Sequence, residues 1–215
     1  MAEVQQHGNL FEDSVIRAIT GLSKEEYQTK LPNAYTASMD IVKGINSDAD
    51  YSIKVSKEGK SIGCGDILRF IRHCLNDEFT IVVGSWKQVS PKIKRYDAIY
   101  EFNICPANYA ILWKNITEEV IQPFVFYVKS IEPGKGAQLA NRQLWKEQRQ
   151  QINDTYGRGL CAIDAKIDSK NQRRVQCSIK IDELITSGIE YYKYETEYNG
   201  IKLPYEQISG PRQFT

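Results

Sequence analysis

An aspartate and a lysine lie in two neighbouring apolar runs of the chain, in a pattern that can do chemistry. Asp40 belongs to "SMDIV" and Lys54 to "YSIKVSK", with a turn-rich stretch from Gly44 to Asp50 between them. These runs predict an antiparallel pair of strands. Hydrolysis of a phosphodiester needs carboxylates that hold a divalent cation and a positive charge near the attacked phosphate. Neighbouring strands that carry Asp40 and Lys54 meet part of that need.

Side-chain alternation along the second strand fixes which residues accompany the lysine. Ser52 and Lys54 are predicted on one face of the strand, and Ile53 on the other. Two further carboxylates are candidates for the same site. Asp66 comes twelve positions after Lys54 and opens the helical pattern "DILRFIRHCL". Glu12 lies on the apolar stripe of the first predicted helix and is therefore expected to face the core or a cleft.

Each of these residues also has an ordinary structural interpretation. Asp66 follows a glycine and suits the N-cap of the helix it opens. Asp40 is compatible with a turn at a strand end, and Lys54 with a solvated strand position. Glu12 is compatible with a position near a helix N-terminus, where the helix dipole favours a negative charge. Asp50 is most simply a turn residue and secondarily an alternative ligand to Asp40. The functional interpretation rests on the coincidence of four positions on suitable elements.

The spacing of Asp40 and Lys54, together with the order of the surrounding elements, resembles the PD-(D/E)xK nuclease superfamily. Ser52 stands where that motif usually has Asp or Glu. A subset of restriction endonucleases carries serine there and takes the missing carboxylate from the following helix, where Asp66 lies in this chain. The resemblance implies Mg²⁺ held by Asp40, Asp66 and Glu12, with Lys54 as the catalytic lysine and Ser52 contacting phosphate or supporting the ligands.

A second copy of the pattern lies near the other end of the chain. Asp164 precedes Ser178 by fourteen residues, and Lys166 and Lys180 supply lysines. The superfamily fold needs a crossover helix and a further sheet strand after the lysine-bearing strand. The residues after Lys180 are mostly tyrosine-rich and turn-like, so the first copy is preferred.

The remaining patterns predict an α/β protein. The family resemblance implies a restriction-endonuclease-like central mixed sheet flanked by helices. Residues 10–22 predict a first helix; "FTIVVGSW" and "YDAIYEFNI" predict strands; "EGKSIGCGD" predicts a loop. Helices are expected in "PANYAILWKN", in "TEEVIQPFVFYVKSI" despite Pro123, and in "AQLANRQLWKEQRQQIND", and the tail from Glu190 is expected to be irregular. We expect one endonuclease domain over 1–215, with a catalytic core at about 8–105 and recognition and dimerisation elements at about 106–215.

Double-stranded DNA is the partner that the basic segments favour. "GLCAIDAKI" and "RRVQCSIKI" predict a hairpin across "DSKNQ", whose Arg173, Arg174 and Gln176 carry groups that read base edges, with Lys170 and Lys180 placed for phosphate contact. A solvated charged hairpin is the alternative. A second basic segment offers Lys92, Lys94 and Arg95 for phosphate tracking. The family resemblance implies a homodimer, since a two-fold protein matches a two-fold site.

Composition bounds the class of protein. The 215 residues are 41% hydrophobic and 26% charged, which suffices for a folded core. Neither a long apolar span nor a signal-peptide pattern is evident, so we expect a cytoplasmic protein of a bacterial or archaeal cell. The five cysteines have no CxxC spacing and are expected to be reduced, half-buried thiols.

Two rival functions follow from the same residues. One is a repair or phage-type nuclease of the same superfamily that recognises DNA structure; the other is a non-enzymatic DNA-binding or partner-binding protein in which the acidic residues are coincidental. Plasmid digests distinguish the first rival, because a restriction enzyme produces discrete bands. Binding unaffected by Mg²⁺ and without cleavage would indicate the second.

Overall fold

A computed structural model describes residues 3–31, 39–132, 136, 140–167 and 172–208. Lys170 lies outside the described residues, as does all of the predicted turn "DSKNQ" except Gln172. The helices are α1 Glu3–Thr20, α2 Lys24–Lys30, α3 Ile67–Asn76, α4 Tyr109–Trp113, α5 Glu118–Ser130, α6 Arg142–Tyr156 and α7 Ile181–Ile185. The strands are β1 Tyr51–Lys57, β2 Ser61–Asp66, β3 Phe79–Ser90, β4 Ile93–Ile104, β5 Ala162–Ile167, β6 Arg173–Lys180, β7 Tyr191–Tyr194, β8 Glu197–Tyr198, β9 Ile201–Lys202 and β10 Tyr205–Ile208.

The chain divides into two compact units. The first comprises residues 1–62, 79–104 and 189–215, and the second comprises residues 63–78 and 105–188. Both units combine helices with a sheet, so the α/β class predicted from the sequence is confirmed. The chain leaves the first unit after β1 and returns to it at β3.

The first unit is built on a mixed sheet in the order β1-β3-β4-β10, with β7 also paired to β4. β1 and β3 are parallel, with Lys54 opposite Val83, whereas β3 and β4 form a long antiparallel hairpin. β2 and α3 separate β1 from β3 in the chain. The lysine-bearing strand is therefore followed by a helix and a parallel strand, the continuation that the sequence predicted.

Helix α1 supplies much of the apolar core of this unit. Its residues Phe11, Val15 and Ile16 are buried among side chains of the sheet. The ring of Phe11 stacks on Tyr96 at a centroid distance of 4.9 Å. Because Phe11 and Glu12 are consecutive, the packing of this ring also fixes where the Glu12 side chain begins.

The second unit contains a three-stranded sheet in the order β2-β6-β5. β5 and β6 are antiparallel, as the predicted hairpin requires, with Asp164 opposite Gln176. Helix α5 runs through Pro123. Its apolar face is buried, and this packing offsets the missing hydrogen bond at the proline.

Three secondary-structure expectations were wrong. "SMDIV" forms only an isolated antiparallel bridge, between Ile41 and Tyr51. "EGKSIGCGD" is not a loop throughout, since β2 begins at Ser61. The tail is not irregular, because it contributes β7 and β10 to the main sheet. Helix α2 lies between the first predicted helix and Asp40, where no secondary structure was predicted from the sequence.

In the part of the chain that the structure describes, no helix has both the length and the apolar character to cross a bilayer. None of the five cysteines forms a disulfide; Cys74, Cys161 and Cys177 are buried, and Cys64 and Cys105 are partly so. Burial raises the pKa of Cys74 to about 12, so this thiol stays protonated at neutral pH.

Candidate functional site

The ammonium of Lys54 and the carboxylate of Asp40 form an ion pair in the first unit. Lys54 Nζ lies 3.2 Å from Asp40 Oδ2 and also donates to the carbonyl of Ile53 at 3.0 Å. The same Oδ2 accepts from the backbone N–H of Ile53 at 2.6 Å. These bonds hold the Asp40 side chain against β1. The structure therefore brings together the two residues on which the sequence argument depended.

The backbone places Asp40 beside β1 although no second strand forms there. The N–H groups of Asp40 and Ile41 both donate to the carbonyl of Tyr51, at 2.9 and 3.1 Å, and Tyr51 N–H donates back to Ile41. Ile41 is fully buried in the core. Three backbone hydrogen bonds and the buried side chain of Ile41 thus hold Asp40 beside β1, where full strand pairing was expected.

Alternation along β1 follows the predicted pattern. Ile53 is buried in the core of the first unit, and Tyr51 and Val55 pack against that core. Lys54 points to the other face, as does Ser52, which is half-buried. Ser56 on this face is also buried and donates its hydroxyl to the carbonyl of Ser61. The hydroxyl of Ser56 therefore serves the turn after β1.

Glu12 is half-buried on α1 and forms an ion pair with Lys24 on α2. Glu12 Oε2 lies 2.9 Å from Lys24 Nζ, and each side chain is 22% exposed. Burial and repulsion from Asp40 raise the pKa of Glu12, while the hydrogen bond and charge of Lys24 and the charge of Lys54 oppose the shift. Glu12 is therefore close enough to Asp40 for their charges to repel.

Lys24 is a residue of this cluster that the sequence argument missed. Ser23 caps α2 by accepting from the N–H of Glu26, and the Glu26 carboxylate accepts from the N–H of Ser23. The N–H of Lys24 donates to Asp13 at 2.7 Å. The capping box fixes Lys24 in the first turn of α2. The motif "SKEE" was visible in the sequence, but its position opposite Glu12 depends on how α1 and α2 pack together.

Asp66 lies in the second unit and has the capping role that was its ordinary interpretation. Its carboxylate accepts from the N–H of Arg69 at 3.1 Å at the start of α3. This bond satisfies a donor that the helix itself leaves unpaired. The proposed role of Asp66 as a metal ligand stays a prediction from sequence.

Asp40 and Glu12 have the donor chemistry that a hard divalent cation prefers. Both offer carboxylate oxygens, and their mutual repulsion is the kind of energy that a bound cation relieves. Among the described residues, no three His, Cys, Asp or Glu side chains are grouped so as to hold a metal. Mg²⁺ commonly binds through one or two protein carboxylates and completes its shell with water and substrate phosphate.

The second copy of the motif is arranged differently. Ser178 donates to Asp164 at 2.7 Å, whereas Lys180 is paired with Glu183 at 2.8 Å. Lys166 lies directly opposite Arg174 on the hairpin. In the described part of the chain, no strand after Lys180 joins the sheet of β6. The continuation that follows Lys54 is therefore missing from this sheet.

The predicted recognition hairpin divides its polar residues between two faces. Arg174 and Gln176 lie on the same side of β6 as Lys180, and these positions are exposed or partly exposed. Arg173 lies on the other side, with Val175, and donates to the carbonyl of Ile131 at 2.9 Å. Only part of the predicted base-reading set therefore shares one surface.

The three cations of the second basic segment differ in exposure and in their partners. Lys92 is exposed at the turn between β3 and β4, but Lys94 is only 8% exposed and its ammonium lies 4.4 Å from the ring centroid of Trp86. Arg95 donates to Asp97 at 2.7 Å. Of these three cations, Lys92 is the one most accessible to a polyanion. Contact of the segment with DNA stays a prediction.

Comparisons with known proteins give no family for this chain. No protein family model, no curated protein and no solved structure matches it.

Proposed function

We propose that this protein is a Mg²⁺-dependent, sequence-specific endonuclease of double-stranded DNA that resembles type II restriction enzymes of the PD-(D/E)xK superfamily. The observation that carries the proposal is the ion pair between Lys54 and Asp40. It lies at a strand that is followed along the chain by a helix and by a parallel strand. The half-buried Glu12, whose pKa is raised partly by Asp40, adds a second carboxylate to the same region.

Each residue of the cluster has a role in the proposed hydrolysis. Asp40 is held in one orientation by the N–H of Ile53 and offers its carboxylate to the metal. Lys54 orients the attacking water and stabilises the negative charge that builds on the phosphate. Glu12 assists the metal directly or through water. When bound, Mg²⁺ supplies the positive charge that polarises the phosphate and favours ionisation of the attacking water.

Two further assignments in the proposal rest on sequence alone. Asp66 is assigned as an additional metal ligand, and Ser52 as a contact to phosphate or a support for the ligands. The proposed products carry 5′-phosphate and 3′-hydroxyl ends. Arg174, Gln176 and Lys92 are assigned to DNA contact, and a homodimer is proposed because a two-fold enzyme matches a palindromic site.

Plasmid cleavage tests the proposal. Wild-type protein is incubated with supercoiled DNA in Mg²⁺ or in EDTA, beside Lys54→Ala, Asp40→Asn and the matched control Lys57→Ala. Lys57 lies on the same strand as Lys54 but is exposed. We expect Lys54→Ala to lower the rate by a factor of about 100 or more, the size of effect seen when one transition-state donor is removed. Lys57→Ala should cleave like wild type.

DNA binding separates a catalytic role from a loss of fold. In Ca²⁺, Lys54→Ala should bind duplex DNA within a few-fold of wild type. Cleavage that is equal in Mg²⁺ and EDTA, or that survives Lys54→Ala, would end the proposal. Discrete bands in the digest indicate sequence specificity, whereas a smear or branch-selective cutting indicates the structure-specific nuclease instead.

A further inference from the structure

An open pocket of about 460 Å³ lies in the second unit, and its lining includes none of the residues of the proposed metal site. Its lining includes three basic side chains and one acidic one, namely Lys114, Arg158, Lys180 and Glu183. The single carboxylate is already paired, because Glu183 Oε1 lies 2.8 Å from Lys180 Nζ. Within the described residues, Lys114 and Arg158 have no carboxylate within ion-pair distance. The pocket therefore has an excess of two positive charges.

The backbone segments around this pocket pack closely against each other. The N–H of Leu160 donates to the carbonyl of Ile111 at 3.2 Å, and Cys161 N–H donates to Leu112 at 3.0 Å. A Cβ on Gly159 would lie 2.1 Å from the carbonyl oxygen of Leu112, so only glycine fits there. These contacts join the segment that carries Arg158 to the segment that carries Lys114.

Lys114 itself is held in a conformation that lysine rarely adopts. Its φ is +54°, in the region that favours glycine, at the C-terminal end of α4. Its N–H donates to Ala110, and the next residue, Asn115, donates its N–H to the carbonyl of Tyr156. A backbone of this kind costs folding free energy that a glycine would not. Lysine at this position therefore carries a local conformational cost.

We infer that this pocket binds the phosphate monoester of a nucleotide, either as a free mononucleotide or as the 5′-phosphorylated end of a DNA strand. The excess of two positive charges matches the charge of about −1.5 to −2 that a phosphate monoester carries at neutral pH. A backbone diester carries a single negative charge. The volume exceeds that of a phosphate alone, and Ile111 and Leu160 give the pocket an apolar part against which a nucleoside can lie.

The inference goes beyond the proposed nuclease and does not require it. A 5′-phosphate is the end that the proposed cleavage would produce, but binding in this pocket uses none of Asp40, Lys54 or Glu12. The binding measurements are therefore made in EDTA, where cleavage is not expected. The cleavage-deficient Lys54→Ala variant is included and should bind like wild type.

Calorimetric titration with adenosine 5′-monophosphate tests the site, beside a short duplex with a 5′-phosphate and the same duplex without it. We expect Arg158→Gln and Lys114→Gly each to weaken binding of the phosphorylated probe about tenfold, as for the loss of one charged hydrogen bond. Lys114→Gly suits the backbone at this position, so it removes the charge without strain. Lys129→Gln, an exposed lysine of the same unit that does not line the pocket, is the matched control and should have no effect.

The titrations with the two duplexes identify the source of the phosphate. Tighter binding of the phosphorylated duplex than of its unphosphorylated twin assigns the pocket to a strand end, and binding of the mononucleotide alone assigns it to a free nucleotide. Equal affinity for the two duplexes with no binding of the mononucleotide would overturn the inference. So would a loss of affinity in Lys129→Gln as large as that in Arg158→Gln.

Discussion

The ring of Phe11 lies directly against the backbone of Gly84. A Cβ at position 84 would fall 2.6 Å from two atoms of that ring, which is closer than non-bonded carbon atoms approach each other. The ring cannot retreat easily, because its other face stacks on Tyr96 in the core. Helix α1 therefore packs on the sheet only because β3 has glycine at this point.

Gly84→Ala is expected to destabilise the protein by about 1–3 kcal/mol, the usual cost of overpacking a core. Because Phe11 adjoins Glu12, the same change should also lower the rate of the proposed cleavage. Urea denaturation measures the first effect and plasmid digestion the second. Gly63→Ala is the matched control, since a Cβ there meets nothing within 4 Å and the change should cost less than about 0.5 kcal/mol. Equal stability of the two variants would contradict the packing argument.

The elements that sequence predicted well are those whose pattern is local. The periods of β1, α3, β3 and β4 appear within a few residues of sequence, and each of these elements forms where expected, although β3 and β4 extend further towards each other than predicted. β2 was missed because "SIGCGD" contains two glycines and becomes a strand by pairing with β6, far along the chain. The tyrosine-rich tail likewise forms strands through pairing with β4. Such long-range pairing leaves little local signal.

In the candidate site, too, local spacing was predictive and contacts that depend on long-range packing were not. The pairing of Asp40 with Lys54 was predicted from spacing, although the strand expected around Asp40 reduces to a single bridge. The partner of Glu12 was not predicted, because Lys24 belongs to a different helix and reaches Glu12 only through packing. Arg173 was grouped with Arg174, but alternation along β6 sends these neighbours to opposite faces.

The raised pKa of Glu12 predicts how stability changes with pH. The folded protein holds the Glu12 proton more tightly than the unfolded chain, whose glutamate has an ordinary pKa of 4.5. The stability that this gives is fully present below pH 4.5 and is lost as the pH rises through the higher pKa of the folded state. Glutamine at position 12 does not titrate, so Glu12→Gln does not lose this stability. The free energy of unfolding of the variant relative to wild type should therefore increase as the pH rises above 4.5.

Urea denaturation at several pH values between 4 and 8 measures this difference. Glu132→Gln, at an exposed position of the second unit, controls for the loss of one acidic residue. If Mg²⁺ binds at Glu12 and Asp40, it should also raise the melting temperature of wild type more than that of Glu12→Gln. A stability difference that stays flat with pH would show that burial and Asp40 do not act on Glu12 as the geometry implies.

Lys24 is predicted to lower the cost of holding Glu12 ionised. Lys24→Met removes the hydrogen bond and the charge that oppose the raised pKa of Glu12. At pH 7.5 we expect a loss of about 1–2 kcal/mol in the free energy of unfolding, as for a charged hydrogen bond with one partner removed. In the Glu12→Gln background the same change should cost less. A double-mutant cycle measures the coupling, and purely additive effects would argue against the ion pair.

Tyr198 and Tyr194 both donate to the carboxylate of Glu101, at 2.7 and 2.9 Å. Tyr198 is only 1% exposed, and burial followed by the charge of Glu101 raises its pKa. Burial, with Glu101, also raises the pKa of Tyr194 to about 12. Two phenols thus remain protonated at neutral pH and solvate one carboxylate on the central strand β4.

Tyr198→Phe is therefore expected to lower the free energy of unfolding by about 1–3 kcal/mol, because a carboxylate oxygen loses its buried donor while the packing of the ring is preserved. Tyr192→Phe is the matched control. Its hydroxyl donates to Glu190 at 3.0 Å, but the residue is 50% exposed, so water can replace the bond and the cost should stay below about 0.5 kcal/mol. Urea denaturation of both variants at pH 7 decides the matter, and an equal cost for the two would show that the burial of Tyr198 adds nothing to its bond with Glu101.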